Sequence, residues 1–208
     1  MTPADFVAEH TERVALPLTL SINAYVARHS HEIWQAAHEA GFAQPFWAFA
    51  WPGGQALARY ILDHPEVAAG RTVLDIGSGS ALAGIAAAQV GARMVLAADT
   101  EPLAEVVARL NAEASGVAIE TTTRDLLGET PHADLVLIGD LFYEPELQVR
   151  VDAFLAAARR RGTPVLFADR TTAKRPECAL EVLAEHEAPP VPALLDGHIE
   201  RARVWRLA

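Results

Sequence analysis

Three groups of residues have the types and spacing to do chemistry. In Val73-Leu74-Asp75-Ile76-Gly77-Ser78-Gly79-Ser80 an apolar run ends in a carboxylate and passes into a glycine loop. Gly77 and Gly79 remove side chains where the backbone must turn sharply and a ligand must come close. Such a loop suits a nucleotide-type ligand, and Asp75 could meet an ammonium carried on it. The second group, Met94 to Ala98 followed by Asp99, puts a carboxylate roughly 20 residues past the first glycine, where it can accept hydrogen bonds from both hydroxyls of a ribose. The third is Gly139-Asp140-Leu141-Phe142-Tyr143. It sets a carboxylate able to orient a cationic amine beside a phenol that can wall a channel or hydrogen bond to a ligand.

Each group also has a purely structural use. The glycine loop could serve a tight turn, Asp99 could cap a helix that Pro102 opens, and Asp140 could cap the helix starting at Pro145. Asp140 stands rather far from Pro145 for that purpose. A dinucleotide loop would carry a third glycine three residues past the second, and Leu82 occupies that position. The loop therefore suits S-adenosylmethionine better than a pyrophosphate.

These residues need a scaffold, and the chain alternates strand and helix patterns that supply one. Val73 to Ile76, Met94 to Ala98, Val117 to Thr121, Asp134 to Gly139 and Val165 to Ala168 read as short buried strands. Ala81 to Val90 is alanine-rich enough for a helix. Leu103, Val106, Val107, Leu110 and Ala114 recur at helical spacing, as do Leu147, Val151, Phe154, Leu155 and Ala158. This order implies an α/β fold with a parallel, doubly wound sheet whose ligands sit outside the carboxyl ends of the strands. Gly54 to Leu62 predicts a helix stopped near Pro65. Ala179 to His186 fits strand or helix, and Ile199 to Leu207 fits a strand, with Pro189, Pro190 and Pro192 between them. Residues 1 to 45 form an N-terminal extension, and Thr2 with Asp5 predicts a capped helix start.

With 208 residues, about half of them apolar, the chain can bury one substantial core. A net charge of −10 argues against a nucleic-acid partner. Arg159-Arg160-Arg161 falls at a predicted helix end before Gly162, where it complements the helix dipole. One cysteine, Cys178, fits a reducing compartment. No apolar stretch suits a bilayer and the start lacks targeting features, so a cytoplasmic monomer without a membrane partner is expected. His29 and His31 do not make a metal site.

A further stretch, Pro45-Phe46-Trp47-Ala48-Phe49-Ala50-Trp51-Pro52-Gly53-Gly54-Gln55, combines four aromatics with a glycine pair that opens a helix. Its rings could hold a sulfonium or an alkylammonium by cation-π attraction, or plug a loop. Packing accounts for Phe46 and Phe49, whereas the Trp51-Pro52-Gly53-Gly54 corner suggests a specific use.

The Trp-Pro-Gly-Gly-Gln corner, the Leu-Asp-Ile-Gly-Ser-Gly loop, Asp99 and the Asp140-x-x-Tyr143 motif, in that order, resemble the seven-strand methyltransferase family sixteen. The resemblance runs from about Pro45 to Tyr143. It implies a Rossmann-like class I methyltransferase domain over residues 46 to 208, with a seven-stranded sheet. Within the family, Pro45 to Tyr60 and Gly139 to Tyr143 are similar to members that methylate lysines of the electron transfer flavoprotein β-subunit. A ribosomal protein stays open as the alternative substrate. The resemblance further implies that Asp75, Gly77 and Gly79 line the methionine end of S-adenosylmethionine, Asp99 the ribose, Asp125 and Leu126 the adenine, and Trp51 the cofactor's flank. Asp140 and Tyr143 match the catalytic motif. Ser80-Ala81 departs from the animal relatives' Cys-Gly. Two other readings remain open: a small-molecule N-methyltransferase acting on a nicotinamide-like amine, and a nucleotide-binding or oxidoreductase module without methyl transfer.

Overall fold

The run that ends at Asp75 is β-strand in the computed structural model, which describes residues 2–174, 176, 178, 180–189, 191 and 199–207. It forms β3 (Thr72–Ile76), buried from Val73 onward because helices cover both faces. The hairpin β1 (Thr11–Leu16) and β2 (Thr19–Ala27) precedes it, with α1 (Pro3–His10) and α2 (Glu32–Glu39) on either side, and then α3 (Pro52–Asp63). After β3 the chain alternates through α4 (Leu82–Gln89), β4 (Met94–Ala98), α5 (Pro102–Ala114), β5 (Glu120–Thr122), β6 (Leu135–Gly139), α6 (Pro145–Arg161) and β7 (Val165–Arg170). It ends in β8 (Leu180–Ala188) and β9 (Glu200–Leu207).

Seven of these strands make one sheet in the order β5-β4-β3-β6-β7-β9-β8. The pairs from β5 to β7 are parallel, and β9 joins antiparallel to both β7 and β8. The doubly wound arrangement is the one expected from the sequence, and the tail adds an antiparallel pair at the sheet edge. The order turns back at β3, so the carboxyl ends of β3 and β6 diverge into a crevice where ligands bind in such sheets.

Local signals explain most boundaries. Gly162 ends α6 in the left-handed conformation, with Arg159, Arg160 and Arg161 in its last turn. Thr2 and Asp5 form the expected capping box. The third strand is shorter and later than predicted, Glu120–Thr122, because Val117 and Ile119 pack against the core outside the ladder. The ambiguous tail segment is strand: β8 pairs with β9, and from Ala184 to Ala188 half-buried or buried positions alternate with exposed ones after a register shift between Val182 and Ala184. Ala179, Pro190 and Pro192 lie outside the described residues.

The N-terminal segment packs against the sheet's helices. Phe6 and Val7 of α1 share an apolar cluster with Trp47, Leu103 and Val107. The Asn111 side chain of α5 accepts the Tyr25 N–H at 2.6 Å and donates to the Ser80 carbonyl at 2.9 Å, linking β2 to the glycine loop.

Candidate active site

One cavity of about 580 Å³ opens at the carboxyl ends of the sheet, within the roughly 300–1,000 Å³ usual for small-molecule and cofactor sites. Trp51, Asp75, Gly77, Gly79, Asp99, Asp125, Leu126, Asp140 and Tyr143 all lie on its wall. The topology thus brings these nine residues to one place.

The glycine loop is held from the next strand. The Ala98 carbonyl accepts the N–H groups of Gly77 and Ser78 at 2.8 and 3.1 Å. Gly77 has φ +61°, and a Cβ there would collide with the Leu141 side chain. Asp99 accepts the Gly79 N–H at 2.8 Å and the Glu101 N–H at 3.0 Å. The cap of α5 is Glu101, which accepts the Leu103 N–H, so Asp99 is not the capping residue. Asp75 is 2 % exposed and accepts the Gly84 N–H at 2.9 Å. Burial pushes its carboxyl up to about 7, and burial raises Asp99 as well. Desolvated carboxylates with only backbone partners gain from a nearby cation. S-adenosylmethionine, with an ammonium and a sulfonium, fits that donor set; Asp75, Asp99 and the loop around Gly77 and Gly79 would hold it.

Across the cavity, Asp140 stands at φ +53°, a region that aspartate tolerates better than most residues. Its Oδ1 accepts the Gly53 N–H at 3.0 Å and its Oδ2 the Gly54 N–H at 2.8 Å. Asp140 therefore caps α3, whose own N-cap residue, Trp51, offers no side-chain bond. The expected alternative, a cap on the helix at Pro145, does not form: Glu144 holds that position. The fit is close, since a Cβ on Gly53 would lie 2.6 Å from the Ala168 carbonyl and 2.8 Å from both Asp140 oxygens. Burial, then the charge of Asp169, hold the Asp140 carboxyl well above the usual carboxylate range.

Asp169 was not singled out in the sequence. It is the last buried residue of β7, whereas Asp140 follows the end of β6; it is 4 % exposed and lines the cavity. The strand predicted over Val165 to Ala168 already placed it at a carboxyl end, and that was the signal available. Glu101, also on the wall, offered no more than its place before Pro102.

Phe46, Trp51 and Tyr143 supply aromatic faces to the same cavity. The Phe46 ring lies 5.4 Å from that of Tyr143 and 6.1 Å from that of Trp51, whose indole N–H donates to the Phe46 carbonyl at 2.7 Å. Phe49 is buried as filler, but Phe46 reaches the wall, which corrects its assignment to packing alone. Asp125 is exposed and engaged by Arg150 at 2.5 Å, with Leu126 half-buried beside it. His29 and His31 are exposed, and no metal-binding cluster occurs among the described residues. No described helix is long and apolar enough to cross a membrane.

The family model for ribosomal protein L11 methyltransferase (PrmA) matches residues 55–140, from α3 to Asp140. The electron transfer flavoprotein beta subunit lysine methyltransferase of Xenopus laevis is 38% identical over 171 residues, which span 80% of this chain and 70% of that protein. The Homo sapiens protein of the same name is 41% identical over 116 residues, 55% of this chain and 44% of the relative. Among solved structures, magnesium protoporphyrin IX methyltransferase from Synechocystis with bound S-adenosylmethionine superposes with a TM-score of 0.54 at 16% identity, covering 74% of this chain and 79% of that one. That likeness bears on the fold alone. The extent and identity of the Xenopus match agree with the motifs from Pro45 to Tyr143: the chain belongs to the electron transfer flavoprotein beta subunit lysine methyltransferase family of S-adenosylmethionine-dependent enzymes.

Proposed function

We propose that the protein methylates lysine side chains of another protein, with the β-subunit of an electron transfer flavoprotein as the foremost substrate. The observation that carries this reading is the placing of Asp140, Phe46, Trp51 and Tyr143 on one wall of the cavity that the glycine loop also lines. The relatives' names point to the same substrate. A cytoplasmic setting, with the free thiol of Cys178 reduced, belongs to the proposal.

When bound, S-adenosylmethionine supplies an electrophilic methyl group on a positive sulfonium. The chain's own residues must present a neutral amine to it. A lysine amine has a reference pKa of about 10.4, so it arrives as a cation and must lose a proton before attack. Asp140 has two acceptor positions occupied by Gly53 and Gly54. A carboxylate has roughly four such positions, which leaves lone pairs to orient the ammonium. Even with its raised proton affinity, Asp140 is a much weaker base than the amine. It therefore captures and aims the nitrogen, while the proton leaves to solvent. The ring faces of Phe46, Trp51 and Tyr143 favour an alkylammonium by about 0.5–2 kcal/mol. Alignment of the reacting atoms supplies most of the rate.

The test is incubation with labelled S-adenosylmethionine, purified electron transfer flavoprotein and, separately, cell extract, followed by mass spectrometry. Label on β-subunit lysines is expected. Label confined to a ribosomal protein would redirect the substrate assignment, and label confined to a protein-free amine would overturn the protein-lysine reading.

A further inference from the structure

We infer that Asp169 is a substrate-contacting, specificity-determining residue: it binds the cationic amine together with Asp140 and makes the site prefer a charged alkyl chain to a neutral one. This rests on the proposed amine chemistry and adds a residue to it. The register places Gly139 of β6 beside Ala168 of β7, and the Asp140 N–H donates to the Ala168 carbonyl at 3.0 Å. The next residues are Asp140, just past the end of β6, and Asp169, still within β7; they are neighbours at the carboxyl ends of adjacent strands, and both line the cavity. Asp169 is 4 % exposed.

Its hydrogen-bond partner is a backbone group: the Arg170 N–H donates to Oδ1 at 2.7 Å. Among the described residues no lysine, arginine or histidine forms an ion pair with it; the neighbouring Arg170 guanidinium pairs with Glu200 at 3.5 Å. The other two arginines on the wall are also committed, Arg150 to Asp125 and Arg124 to Glu129. The two adjacent desolvated carboxyls repel one another, and the charge of Asp169 disfavours ionisation of Asp140. Leaving a buried charge without a partner of opposite sign is unfavourable, and a bound ammonium relieves both carboxylates. A structural acid would be expected to form an ion pair with an internal cation or to face solvent; the Arg170 guanidinium attracts both Asp169 and Asp140 without forming an ion pair with either, and Asp169 stands beside Asp140 on the cavity wall.

The inference is tested by binding, so that it does not depend on turnover. Enzyme loaded with S-adenosylhomocysteine is titrated by calorimetry with n-butylammonium and with the neutral n-pentanol. Wild type should bind the cation more tightly than the alcohol. Asp169→Asn retains an acceptor oxygen for the backbone donors but removes the charge. It should lose at least tenfold in n-butylammonium affinity, with n-pentanol and S-adenosylhomocysteine affinities unchanged. Asp169→Glu should recover part of the preference. Equal n-butylammonium affinity in wild type and Asp169→Asn would overturn the assignment, as would a wild type that does not bind the cation. A parallel fall for cation and alcohol would show a structural role instead and also overturn it. If the preference behaves as predicted but β-subunit lysines are not methylated, the amine site stands and the choice of target is what fails.

Discussion

The two sides of the cavity use their carboxylates differently. On the cofactor side, Asp75 binds Gly84 nine residues away, and Asp99 binds Glu101 two residues away and Gly79 twenty away. On the substrate side, Asp140 binds Gly53 and Gly54, 87 and 86 residues away. The first set belongs to a single strand-loop-helix unit and its neighbouring strand. The second joins the first turn of α3 to the end of β6, the fourth parallel strand. A cofactor loop can be built locally, whereas a substrate-binding carboxylate here depends on the sheet being assembled.

That difference can be broken most severely at Asp140. Asp140→Ala removes the orienting group and leaves two helix N–H donors without partners. Misplacement of about 1 Å can cost on the order of 100-fold in rate, so methyl transfer should fall by at least about that factor, measured with labelled cofactor under saturating S-adenosylmethionine. A variant within a few fold of wild type would show that the two glycines hold the corner without it and that the amine is aimed elsewhere.

A second, smaller effect sharpens the comparison on the cofactor side. Folded Asp75 keeps its proton up to about pH 7, while an unfolded aspartate releases it near 3.9. The folded chain holds more protons between those values, so Asp75 makes stability fall as pH rises from about 4 to 7. Asp75→Asn should flatten that slope and raise the melting temperature at pH 8 while weakening cofactor binding. In a chain of this size each kcal/mol corresponds to about 2–4 °C. An unchanged slope in thermal melts from pH 4 to 8 would mean that Asp75 is not held protonated.

The smallest effect concerns Ala81, whose φ of 58° and ψ of 30° are left-handed. The conformation costs a non-glycine residue about 1–2 kcal/mol, offset in Ala81→Gly by about 0.5–1 kcal/mol of added chain entropy. Ala81→Gly should gain up to about 1 kcal/mol in denaturant unfolding, with cofactor affinity preserved. A loss of stability would show that the strain is relieved by packing.

Much of the molecule was legible from local patterns. Asp75, Gly77 and Gly79 could be read because the loop's own backbone needs them, and Asp99 because strand and helix lengths fix its distance from the loop. The bond between Asp140 and the Gly53-Gly54 corner could not be read, although both motifs were seen, because nothing local says that α3's first turn lies over β6. Asp169 was missed for a related reason: its significance comes from strand register beside Asp140. The left-handed conformation of Ala81 was hidden because alanine normally marks a helix interior.

The division of labour is tested most directly by calorimetric titration of S-adenosylhomocysteine into wild type, Asp99→Ala and Asp140→Ala. Hydrogen bonds to charged groups contribute about 1.5–3 kcal/mol, so Asp99→Ala should lose about tenfold or more in affinity while Asp140→Ala stays near wild type. Wild-type affinity in Asp99→Ala together with a large loss in Asp140→Ala would contradict the assignment of the two sides.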